Sequence, residues 1–147
     1  MEQTAANLTK VVNNFLGTDK TLIDWDYKPS TEKWSKKEIL GHLTDSATVN
    51  MQRFIRCTYE ENFKLTYDQD AWVQAQNYQQ ADINRLFELW TLLNEQIVRV
   101  LKNYPAHRLK VQCDTGRTMA NLHPIEWLAN DYVDHLAHHL NQITNID

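Results

Sequence analysis

The chain is short of residues that break or turn a backbone: among 147 residues there are three glycines and three prolines. So few turning points require long elements, which favours helices over a turn-rich β architecture. No run of about 18 apolar residues is present, which excludes a membrane-spanning helix. The first twenty residues, MEQTAANLTKVVNNFLGTDK, lack the basic start and continuous apolar stretch of a signal peptide, so the expected location is the cytoplasm. Only two cysteines occur, Cys57 and Cys113, without CxxC spacing. In an intracellular chain they are expected to be free thiols. The net charge is -4 and lysine and arginine form no block, whereas a nucleic-acid binder normally carries a basic stripe that displaces counterions. Nucleic acid is therefore not an expected partner. No HExxH, phosphate-binding loop or dinucleotide glycine fingerprint is present either.

What is present is enough apolar material, 42% of the residues, to fill one core. The length suits a single domain over residues 1–147. A first helix is expected from about Gln3 to Leu16, with Ala5, Leu8, Val11, Val12 and Phe15 at helical spacing and Gly17 as its stop. The segment GTDKTLIDWDYKPSTEKW reads as a connector. In WSKKE, Ser35 is followed three residues later by Glu38, a capping box that satisfies the free backbone donors of a helix start. A second helix should run from there to about Tyr59, with Ile39, Leu43, Ser46, Val49, Asn50, Phe54 and Cys57 on its inward stripe, and His42 among them.

The stretch EENFKLTYDQDAWVQAQNYQQ has no sustained period and is expected to be a long excursion with a short helical turn near Ala71 to Gln76. Asp82 can cap a third helix carrying Ile83, Leu86, Phe87, Trp90, Leu93, Ile97, Val98 and Leu101 before Pro105. RLKVQCDTGRTMANL alternates weakly around Thr-Gly, as a small hairpin or an irregular loop would. A fourth helix opens at LHPIEW, with Pro124 at its first position, and runs to about Ile143. The expected fold is all-α, a four-helix bundle with connections of mixed length.

Three histidines crowd into DHLAHHL. The inward stripe of the last helix is Ile125, Leu128, Tyr132, His135, Leu136, His139 and Ile143, so His135 and His139 share one face one turn apart. His138 is rotated about 100° away, with Asp131 and Asp134 on a wetter flank. An i, i+4 histidine pair alone is a weak signal, but His42 adds a third inward imidazole from another helix. Three neutral histidines with an open fourth position are the ligand set of a catalytic zinc site; imidazoles held by core hydrogen bonds are the alternative. A closing cysteine ligand is disfavoured, since Cys57 lies about 22 Å along the helix from His42. No Glu-x-x-His pair falls on an expected helix, which removes a di-iron bundle.

With these residues in view, the chain resembles the DinB-like (YfiT-like) superfamily of four-helix bundles. The resemblance rests on KPSTEKWSKKEILGHLTDSATVNMQRFIR at 28–56, YDQDAWV at 67–73 and HPIEWLANDYVDHLAHHLNQI at 123–143. It implies that His42, His135 and His139 are metal ligands, and Gln142 matches the glutamine that follows them in the family, although LN stands where RG often precedes it. It further implies a divalent ion, zinc or nickel foremost, and two enzymatic readings. In the first, a metal-dependent hydrolase, the ion acidifies water for attack on a small-molecule substrate; in the second, a thiol transferase, it activates a low-molecular-weight thiol. A homodimer is also expected by resemblance.

Asp45, one turn after His42, and Asp131, one turn before His135, are candidate catalytic residues that could orient an imidazole or accept a proton, or else solvated flank carboxylates. Asn50 and Arg53 could meet polar groups of a substrate or form a salt bridge. Trp34, Trp72, Trp90 and Trp127 could wall a pocket, or belong to core and dimer surface. A metal-dependent binding module without catalysis is the non-enzymatic alternative.

Overall fold

The computed structural model describes residues 1–145. Four long helices carry the fold: α1 (Glu2–Leu16), α2 (Lys36–Arg56), α4 (Ile83–Lys102) and α5 (Ile125–Thr144). A shorter helix, α3 (Gln69–Gln76), precedes α4, and three short strands lie between helices: β1 (Phe63–Lys64), β2 (Gln112–Asp114) and β3 (Leu122–Pro124). Helices α1 and α2 each pack mainly against α4 and α5, so α1 stands diagonally across the bundle from α2, and α4 from α5, while α2 and α4 lie side by side. This order sets α2 next to α5, although the whole of α3, α4 and the strands separates them in sequence.

Local chemistry explains the starts. Ser35 accepts from the Glu38 backbone N–H and Glu38 reaches back to the Ser35 N–H, so the capping box forms as expected. Asp82 accepts from the Arg85 N–H at the start of α4. Pro124 does not take the first helical position of α5; it is the last residue of β3 with extended backbone, and Ile125 begins the helix. The second helix ends at Arg56, short of Tyr59, where Cys57 takes over the cap.

The two irregular stretches hold more order than their patterning suggests. Asp68 caps α3, and Asn77, in left-handed backbone (φ 47°), ends it and turns the chain into a single 3-10 turn, Tyr78–Gln80. Strand β1 pairs parallel with β2 (Phe63 opposite Cys113), and β2 pairs antiparallel with β3 (Cys113 opposite His123). A hairpin does therefore form in the second stretch, and the first supplies its third strand. The loop of the hairpin hangs on Asp114, whose carboxylate accepts from the Gly116 and Asn121 N–H groups. An added methyl on Gly116 would fall 1.7 Å from the Met119 carbonyl oxygen, so only glycine fits there.

The core runs from Leu8 and Phe15 through Leu43, Phe54, Trp90, Ile97 and Leu101 to Leu136 and Ile143. Cys57 and Cys113 are free and buried, and the fold brings them side by side: the Cys113 thiol donates to the Phe63 carbonyl at 3.2 Å, while its contact and burial push the Cys57 thiol up. No helix among the described residues is long and apolar enough to cross a membrane.

Candidate metal centre

Helix α2 delivers His42 and α5 delivers His135 and His139 to one point. One nitrogen of each imidazole lies within 4.8 Å of the other two, an arrangement that could hold a metal ion. His42 Nε2 and His135 Nε2 are 3.2 Å apart. Two nitrogens bound at 2.0–2.1 Å to one tetrahedral ion would stand about 3.3 Å apart, so this pair already has the required separation. The rings meet edge to face, with centroids 5.2, 5.1 and 4.5 Å apart.

The donor set is also chemically prepared. Burial, followed by the neighbouring histidines, holds His42 down to about 3 and His135 down to about 4, and burial lowers His139 as well. All three are neutral at pH 7, with no proton to displace before a cation binds. His139 Nδ1 lies 2.8 Å from Gln142 Oε1. An amide oxygen can only accept, so Nδ1 carries the hydrogen and Nε2 keeps its lone pair for the centre. The Gln142 amide nitrogen reaches His138 Nε2 at 3.1 Å, so the exposed middle histidine belongs to the outer edge rather than to the triad.

His42 is 1% exposed, and Trp34 packs against its ring at 4.8 Å. Its Nδ1 is buried without a partner, and so is Asp45 Oδ2 on the next turn of the same helix. Asp45 Oδ1 is taken by the Gln76 amide and by the Tyr78 hydroxyl at 2.6 Å, while burial raises the carboxyl above its ordinary range. Tyr78 reaches that oxygen because α2 has glycine beneath it: a methyl on Gly41 would stand 2.1 Å from Tyr78 Cδ2. Asp131, by contrast, is exposed on the α5 flank.

Two cavities flank the triad. The larger, about 540 Å³, includes Tyr27, Trp34, Ile39 and Gln142 in its wall but none of the three histidines. The smaller, about 240 Å³, is walled by His135 together with Asn50, Arg53, Tyr67, Trp127 and Asp131. Size alone would favour the first. Reactive chemistry needs direct access to the imidazoles, and only the second offers it. The tryptophans divide accordingly: Trp90 lies in the core, Trp34 covers His42, Trp127 is 46% exposed and stacks on His123 at the smaller cavity, and Trp72 meets Tyr67. Tyr78 had no signal in the sequence, because it sits where no helical or strand period exists; Gln76 ended an expected helical turn and Tyr67 opened a stretch shared with the family, but neither was singled out for the site.

Fold and site together define a helical bundle with a histidine centre shared by two helices. The chain belongs to the DinB superfamily, whose profile matches residues 1–143. Its structure is similar to that of YfiT from Bacillus subtilis, a probable metal-dependent hydrolase with an unusual four-helix bundle topology (23% identity, TM-score 0.75, covering 97% of this chain and 79% of that one). It is also similar to a mycothiol-dependent maleylpyruvate isomerase at 8% identity and TM-score 0.76, covering 99% of this chain. The chain spans 60% of the isomerase's length. At these identities the likeness is one of fold. A comparison with curated proteins finds no match.

Proposed function

We propose that the protein is a metal-dependent enzyme of the hydrolase type in which His42, His135 and His139 hold one divalent ion, zinc or nickel, with an open position toward the smaller cavity. The observation that carries this reading is the convergence of three neutral imidazoles at 4.8 Å or less, one of them in a cavity wall. A bound divalent ion would act there as a Lewis acid, bringing the pKa of a coordinated water or thiol toward about 7.

The residues around it have separable tasks. Once His42 Nε2 turns its lone pair to a cation, Nδ1 must carry the proton, and leaving that N–H buried and unpaired costs about 1–3 kcal/mol. Asp45 Oδ2 is the buried, unpartnered acceptor one turn away, so Asp45 would orient a metal-bound His42 by turning to accept that proton. Gln142 does the same for His139. Asp131, which lines the smaller cavity, would accept a proton from the nucleophile. Its test is the pH profile of Asp131→Asn once a substrate is in hand.

A second reading, activation of a low-molecular-weight thiol for transfer, is supported by the likeness to the mycothiol-dependent isomerase and uses the same residues. In either case the protein acts as a single cytoplasmic domain on a small molecule. The exposed Leu89 and Leu92 of α4, one turn apart, support a homodimer.

The deciding experiment is elemental analysis of untagged protein prepared without chelator, beside a His135→Ala, His139→Ala variant. Near-stoichiometric metal in the first and none in the second is the expected result. Native protein that holds no metal even after reconstitution would overturn the reading and leave a binding module with hydrogen-bonded histidines.

A further inference from the structure

Arg53 is 8% exposed, close to the bottom of α2, and among the described residues no carboxylate stands within 4 Å of it. Neighbouring arginines differ: Arg56 pairs with Glu60 and Arg108 with Glu61. Arg53 instead gives Nε–H and one Nη2–H to the Leu65 carbonyl (3.1 and 2.6 Å) and one Nη1–H to Asn50 Oδ1 (3.2 Å). Three of the five N–H groups of a guanidinium are thereby used, which leaves one on Nη1 and one on Nη2. Withdrawing a charge from water costs several kcal/mol when no counter-charge accompanies it. A folded chain tolerates that cost where a ligand supplies the missing charge.

The guanidinium faces the same cavity of about 240 Å³ whose wall includes His135. At about 30 Å³ per water, that space corresponds to roughly eight waters, the size of a short-chain organic molecule. We propose that the substrate carries a carboxylate that docks on Arg53, with its two oxygens on the two remaining N–H groups and its reactive end at the histidine centre. Planar, two-pronged recognition of this kind is what a guanidinium does and an ammonium does not. Asp131 lines the same cavity. Its charge disfavours a second anionic group, so the substrate class is a small monocarboxylate. The direction of the substrate rests on the metal reading above; the contact with Arg53 does not.

The test uses cobalt-loaded protein and two probes of equal length, 3-mercaptopropionate and 3-mercaptopropionamide, whose sulfur reports binding at the ion through its charge-transfer absorption. The acid is expected to bind at least about ten-fold more tightly than the amide, as a charge-assisted pair implies. Arg53→Met should remove the preference, weakening the acid by at least about ten-fold more than the amide, which loses at most a neutral hydrogen bond. Equal affinities in the native protein, or a preference that survives Arg53→Met, would overturn the inference. If Arg53→Met does not fold, Arg53→Lys replaces it; the preference should then fall several-fold, and an unchanged one counts against the proposal. Failure of the metal reading would show separately, as native protein that takes up no cobalt. The contact is then read on metal-free protein by the Arg53 Nη–H resonances, which propionate should shift more than propionamide does; resonances unmoved by both sink the proposal.

Discussion

Gly41 decides the surroundings of His42 with a single missing methyl group. Tyr78 lies so close over α2 that any Cβ there would overlap its ring, and Tyr78 in turn holds Asp45 by its hydroxyl. Gly41→Ala is therefore expected to destabilise the protein by about 1–3 kcal/mol, the usual cost of overpacking a core, even though alanine is the better helix former. It should also weaken metal binding, because Tyr78 can leave only by releasing Asp45. Urea denaturation and a competitive metal titration of the variant measure the two effects. A variant as stable as the native protein would mean that Tyr78 moves aside freely.

At the scale of elements, the start of α2 matters most, because His42 stands two turns beyond it. The Ser35 side chain caps Glu38 and also donates to Gln79 Oε1 at 2.7 Å, so it fixes both the helix and the connector behind α3. Ser35→Ala should cost about 1–2 kcal/mol, with faster amide hydrogen exchange at Glu38 and Ile39. Unchanged exchange there would assign the stability of this helix to packing alone. The capping box is the kind of feature a sequence displays openly: a short motif with a local mechanism. The same holds for His135 and His139 on one helical face. The diagonal arrangement of the helices was not legible, because it depends on which faces bury together and not on any local period. Strand β1 was hidden for a related reason. Two residues are too few to alternate, and their partner in β2 lies some fifty positions away. Asp45 could be placed near His42 by counting turns, but nothing in the stretch that holds its partners Gln76 and Tyr78 tells that it folds back over α2. Arg53 could be read as a substrate contact or as half of a salt bridge, and its lack of a carboxylate partner, which separates the two, is a fact of three dimensions only.

For the whole molecule, the buried imidazoles link stability to pH. His42 and His135 titrate near 3 and 4 in the fold and at the ordinary value of 6.5 when unfolded, so below pH 6.5 the unfolded chain binds protons that the fold refuses. Metal-free protein should hold constant stability above pH 7 and lose it as pH falls toward 5, at up to about 1.4 kcal/mol per pH unit for each histidine fully excluded from protonation. Asp45, raised by burial, acts in the opposite sense. Denaturation midpoints of chelator-treated protein at pH 7.5, 6.5 and 5.5 check this; a flat series would mean that the imidazoles reach water before unfolding.

The diagonal bundle also orders events in time. His42 leaves the ribosome with the first third of these residues, whereas His135 and His139 follow only with α5, after α3, α4 and all three strands. During synthesis the triad therefore stands at one member, His42, until α5 has emerged and lain down beside α2. On the metal reading proposed above, capture of an ion would therefore follow the docking of α5 on α2, and the ion would be delivered to helices already folded together.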